Sequence, residues 1–82
     1  MPDNKNSIRI SILEKSFNYM ERFLPLSIGK DYDETFANFM GYINKEKTKT
    51  SSSIELEALD DAVNKVESLS YEEIVEIVET IS

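Results

Sequence analysis

Apolar residues recur along this chain at helical spacing in four separate runs. Stepping about 100° per residue from Ser7 to Leu24 gathers Ile8, Ile12, Leu13, Phe17, Met20, Phe23 and Leu24 on one side. Ser7, Ser11, Glu14, Lys15, Asn18, Glu21 and Arg22 fall on the other. Such a broad apolar face predicts a helix in contact with two or more neighbours. Residues 7–12 carry a competing signal, because Ser-Ile-Arg-Ile-Ser-Ile alternates with period two and is rich in β-branched residues, so a short strand is the alternative there. Pro25 is expected to stop the helix, and residues 25–30, with Gly29, read as a loop.

Asp31 followed by Glu34 has the form of a capping box, which predicts a second helix to about Lys47. Its stripe is Phe36, Phe39, Met40 and Ile43, with Tyr42 at the edge, and Lys45 and Lys47 suit the negative end of the helix dipole. Residues 48–53 are polar and without an evident cap, and they predict a flexible connection. Ser52 with Glu55 and Ser70 with Glu73 repeat the capping signal. The third helix should bury Leu56, Leu59, Ala62, Val63, Val66 and Leu69. The fourth carries the cleanest stripe, Tyr71, Ile74, Val75, Ile77, Val78 and Ile81, about 160° wide. Carried through Ser68-Leu69-Ser70, the two stripes misalign by roughly a quarter turn, which predicts two helices with a kink. The alternative is one long helix with a stutter, favouring a coiled-coil dimer. Together these elements predict a single all-α domain over residues 1–82, a small antiparallel bundle of three to four short helices.

Charge separates the two ends of the chain. Residues 51–82 place nine carboxylates against Lys65 alone, about −8, whereas the first fifty residues carry +1. Within the acidic part, Glu57 with Asp61 and Glu72 with Glu76 are like-charge pairs one turn apart, each costing a few tenths of a kcal/mol. Glu72 and Glu73 are favourable at a helix N-terminus, but Glu79 meets a dipole that is already negative. A single-sign surface of this kind attracts basic clefts and raises association rates.

The chemistry left open is narrow. Histidine and cysteine are both absent, which removes the usual general base near neutral pH, the thiolate nucleophile and the best transition-metal ligands. No catalytic residue, cofactor or metal site is therefore expected; Glu72 and Glu76 alone do not supply the converging oxygens that a hard cation requires. The two glycines, Gly29 and Gly41, belong to no phosphate-binding motif. Gly41 sits mid-helix, where it marks either a tolerated surface glycine or the close approach of another backbone. Lys45, Lys47 and Lys49 form a basic strip, yet no aromatic residue interleaves it and the pI is near 4.5, so direct nucleic-acid binding is not expected. A membrane span and a secretory signal are likewise not expected, since charges interrupt every apolar run and Met1-Pro2-Asp3-Asn4-Lys5-Asn6 has no apolar core.

The expected function is that of a non-catalytic, cytoplasmic protein-binding module, with Glu57, Asp60, Asp61, Glu72, Glu73, Glu76 and Glu79 docking a basic protein such as a nucleic-acid enzyme or a toxin. By analogy of size and charge alone, the type is an inhibitor, immunity protein, antitoxin or phage antagonist. The alternative is a structural or assembly subunit, a homodimer for instance, that self-associates through its apolar stripes.

Overall fold

The computed structural model describes residues 4–81, which form four helices: α1 (Asn4–Ser27), α2 (Tyr32–Lys47), α3 (Ser53–Glu67) and α4 (Tyr71–Ile81). The all-α bundle is as expected, the segment 7–12 is helical, and α3 and α4 are separate. Helices α1 and α2 run antiparallel. The Asn38 side chain donates to the Ser27 carbonyl at 2.9 Å, Phe23 stacks on Tyr42 at 5.5 Å, and Arg22 pairs with Glu46 at 3.9 Å, so α1 descends as α2 rises. Helix α3 has its most extensive contact with α1, and α4 also packs on α1. The longest helix is thus the element on which the others converge.

Pro25 does not end α1, which continues to Ser27. Proline in the last turn deprives only the Glu21 carbonyl of its helical partner, and Glu21 is exposed to water. Two side chains then close the end: Ser27 Oγ donates to the Phe23 carbonyl at 2.7 Å, and Asn38 caps Ser27 itself. Only residues 28–31 are left to turn the chain into α2.

Capping explains the other helix starts, with two variations on the expected boxes. At α2, the Glu34 N–H donates to Asp31 Oδ1 at 2.9 Å, but the Glu34 carboxylate passes Asp31 and accepts from the Lys30 N–H at 2.8 Å. At α3, the Glu55 N–H reaches Ser52 Oγ at 3.4 Å, while the Glu55 carboxylate turns away to accept from Thr50 Oγ1 at 2.7 Å. At α4 the box is reciprocal, Glu73 N–H to Ser70 Oγ at 3.1 Å and Ser70 N–H to Glu73 Oε1 at 2.8 Å. The connection after α2, expected to be loose and uncapped, is held by hydrogen bonds. Thr48 caps α2 through its own N–H, and its hydroxyl donates to the Lys45 carbonyl at 2.7 Å.

The core is Leu24, Phe39, Ile43, Ala58, Leu59, Ala62, Val66 and Ile74, all fully buried, rimmed by Tyr19, Met20 and Phe23. Each large side chain among them contributes about 1.5–3 kcal/mol of transfer free energy. Buried Ser16, Ser27 and Thr35 have hydrogen-bond partners inside the chain. The expected apolar face of α1 is corrected in its N-terminal half: Ile8, Leu13 and Phe17 lie exposed, and Tyr19 and Ser16 take buried positions instead. Rotation is one reason, since fully buried Ser16 and half-buried Ile12, packed against the core, lie on the side of α1 that the bundle covers, away from Leu13 and Phe17; length is the other. At about 1.5 Å per residue the 24 residues of α1 span about 36 Å, longer than the 16-, 15- and 11-residue helices packed on it can cover.

Candidate functional site

Helix α4 is fixed in rotation by Ile74, its one fully buried residue, and in position by the Ser70–Glu73 box at its start. Stepping 100° per residue from Ile74 puts Glu72, Glu76 and Glu79 between about 140° and 200° away, directly opposite the core. All three are exposed, and none has an ion pair among the described residues. They form a ridge of three unneutralised carboxylates along one line of the helix.

Apolar side chains flank this ridge on both sides. A shallow depression of about 400 Å³ is lined by Tyr71, Glu72, Val75, Glu76 and Glu79. A second, of about 360 Å³, is lined by Leu69, Glu73, Glu76, Ile77, Thr80 and Ile81, so Glu76 borders both. Sequence periodicity assigned Tyr71, Val75, Ile77 and Ile81 to the core, and the structure leaves them half-buried or, at Ile81, exposed. A stripe wider than the surface it can cover was the available signal, since α4 has α1 as its main neighbour.

The other expected site residues behave differently. Asp60 is paired with Lys47 at 2.6 Å, and Asp61 is paired with Lys65, whose Nζ also stands 5.4 Å from the centre of the Phe17 ring. Pairs this exposed contribute little to stability, yet they cancel charge locally. Glu73 is used in the cap of α4. Glu57 is exposed and without an ion pair among the described residues, but neither α4 depression includes it. The structure therefore brings together Glu72, Glu76 and Glu79, with Glu73 at their edge, and does not join the α3 acids to them.

The basic strip is divided as well: Lys47 answers Asp60, while Lys45 lines a depression of about 490 Å³ with Leu26, Ala37, Asn38, Gly41 and Tyr42. Among the described residues, and apart from its own helix turn, nothing lies within 4 Å of where a Cβ of residue 41 would stand, so none of their backbone approaches Gly41. Among the described residues no group of three or more potential ligands is placed to hold a metal ion, and no helix is long and apolar enough to cross a membrane. In comparisons with known proteins, no family model matches this chain, and neither a curated protein nor a solved structure matches it.

Proposed function

We propose that this chain is a non-catalytic, cytoplasmic protein-binding module that docks a basic partner on α4, in the manner of an inhibitor, immunity protein, antitoxin or phage antagonist of a nucleic-acid enzyme or toxin. The observation that carries the reading is the ridge of Glu72, Glu76 and Glu79, without an ion pair among the described residues, opposite Ile74 and bordered by apolar depressions. Carboxylates one turn apart steer a cationic surface into place, and half-buried Tyr71 and Val75 with exposed Ile81 supply apolar area to be buried once it arrives. Asp60 and Asp61 add to the long-range field, with their short-range charge already answered by lysines.

Affinity capture from the native cell identifies the partner, and variants then locate the contact. Replacing Glu72, Glu76 and Glu79 together by Gln should weaken the complex about tenfold or more at low salt and flatten its salt dependence. Asp60→Asn with Asp61→Asn should change it much less. Binding indifferent to the triple substitution, or a partner with no basic surface, overturns the reading.

A further inference from the structure

Most of the large apolar side chains that this fold leaves exposed are on α1. Ile10, Leu13 and Phe17 retain 55%, 39% and 51% of their surface, and their spacing of three and four is that of a, d and a positions in a heptad. The next two positions of the same heptad, Met20 and Leu24, are buried in the chain's own core. One seam thus runs along α1, covered by the bundle at Met20 and Leu24 and left exposed at Ile10, Leu13 and Phe17, where Lys65 Nζ, 5.4 Å from the Phe17 ring, marks the edge of the bundle. Arg9 and Glu14 flank the bare part at g and e, both exposed and both without an ion pair among the described residues.

We propose that a second copy of this chain covers the bare seam, the two α1 helices meeting in parallel through Ile10, Leu13 and Phe17. Charge selects both the occupant and its direction. In a parallel pair each g residue faces the e residue five positions on in the other helix, so Arg9 of each copy meets Glu14 of the other, twice over. An antiparallel pair sets like against like, Glu14 near Glu14 and Arg9 on the same side as Arg9. A membrane surface is a poorer occupant, since the bare seam is flanked by Glu14 as well as Arg9, where an interfacial helix would carry Lys or Arg on both sides. Contact ends after Phe17, where the bundle occupies the seam and the copies diverge, so the interface belongs to the small, dissociable class. It does not involve the α4 ridge, which faces away from the core, and it stands independently of the function proposed above.

The chain has no cysteine, so Ile10→Cys introduces a single thiol. Symmetric a positions adjoin in a parallel pair, whereas antiparallel packing moves them about 10 Å apart along the axis. Under mild oxidation, with rates normalised to reaction with a small thiol reagent, Ile10→Cys should form covalent dimer about tenfold or more faster than exposed Ser51→Cys. Adding Leu13→Glu should remove that advantage; adding Arg9→Glu should reduce it, and Arg9→Glu with Glu14→Arg should restore it. Equal rates for Ile10→Cys and Ser51→Cys overturn the second copy as occupant. Faster cross-linking in a mixture of Ile10→Cys with Phe17→Cys than in Ile10→Cys alone, or no restoration by the charge swap, overturns the parallel direction.

Discussion

The Tyr71 hydroxyl donates a 2.6 Å hydrogen bond to the Gly29 carbonyl, joining the first residue of α4 to the turn between α1 and α2, forty-two positions away. The same turn is held from the other side, with the Gly29 N–H donating to Thr35 Oγ1 at 2.8 Å and the Lys30 N–H to Glu34 Oε1 at 2.8 Å. One turn into α4, Ile74 is fully buried. Two anchors a turn apart fix both the direction and the rotation of α4, and so aim Glu72, Glu76 and Glu79 outward as a set.

Tyr71→Phe removes one of those anchors without opening a cavity. The expected loss is about 1 kcal/mol of stability, typical of a single neutral hydrogen bond. Because α4 is the shortest helix, the effect should be local: amide exchange in residues 74–81 should accelerate more than exchange at Phe39 or Leu59. Uniform acceleration across all four helices would show that Tyr71 supports the whole bundle instead.

Gly29→Ala should be more damaging than its exposure suggests. A Cβ at this position would come within 2.6 Å of Glu34 Cγ and 2.9 Å of Glu34 Cβ, so the Glu34 side chain must leave and release the Lys30 N–H. A cost of about 1–3 kcal/mol is expected. Glu34→Ala in the same chain should recover part of it by clearing the space, and a double-mutant cycle measured by urea unfolding reads that coupling.

Tyr19 gives the fold an alkaline limit. Burial, and then the nearby carboxylates of Glu55 and Glu46, push its phenol above the ordinary tyrosine value, and its hydroxyl donates to Glu55 Oε1 at 3.5 Å. A folded value above the unfolded one means that the folded state holds the proton more tightly. That stability is fully present below the unfolded value near pH 10 and is lost as pH rises through the folded value. Tyr32, raised by burial and by Glu67 and Asp33, acts in the same direction. Urea unfolding at pH 9 and pH 11 should show a fall for the native chain and a smaller one for Tyr19→Phe.

Glu79 sits in the last turn of α4 with no basic residue beside it. The negative end of the helix dipole and Glu76 both oppose its charge, so Glu79→Gln should stabilise the free protein by a few tenths of a kcal/mol while weakening the docking of a basic partner. Thermal unfolding and partner affinity should therefore move in opposite directions. A variant that lowers both would assign Glu79 a role within the fold.

Periodicity and capping residues carry the four helices, the break at residues 68–70 and much of the core: Phe39, Ile43, Leu59, Ala62 and Val66 are buried as expected, whereas Phe36, Met40, Leu56, Val63 and Leu69 are half-buried and the buried Thr35 and Ala58 lie outside the expected stripes. The same rule misleads on α1 and α4. It reports which side chains share a face, not how much of that face a neighbour covers, and Leu13, Phe17 and Ile81 stand exposed on the uncovered part. Pro25 does not stop α1 because a helix breaker two residues from the helix end removes almost nothing that water or a cap does not replace. In the acidic segment, type and spacing put Glu72, Glu76 and Glu79 on one face of α4 but do not separate them from Glu57, Asp60, Asp61 and Glu73, because the neutralisation of Asp60 by Lys47 depends on the tertiary approach of α2 to α3.

Gly41 separates stability from recognition on α2. Glycine in an exposed helix interior costs about 1 kcal/mol relative to alanine, chiefly because its unfolded backbone has more freedom to lose. Open space surrounds the position where a Cβ would stand, and the φ angle there is not positive, so alanine meets neither a clash nor strain. Gly41→Ala should therefore stabilise the chain by about 1 kcal/mol, raising Tm by about 4–8 °C for a domain of this size. The same methyl would fill the floor of the depression between Leu26, Ala37 and Lys45. If a partner backbone rests in that depression, the alanine variant should melt higher and bind more weakly; unchanged binding would leave Gly41 a tolerated surface glycine.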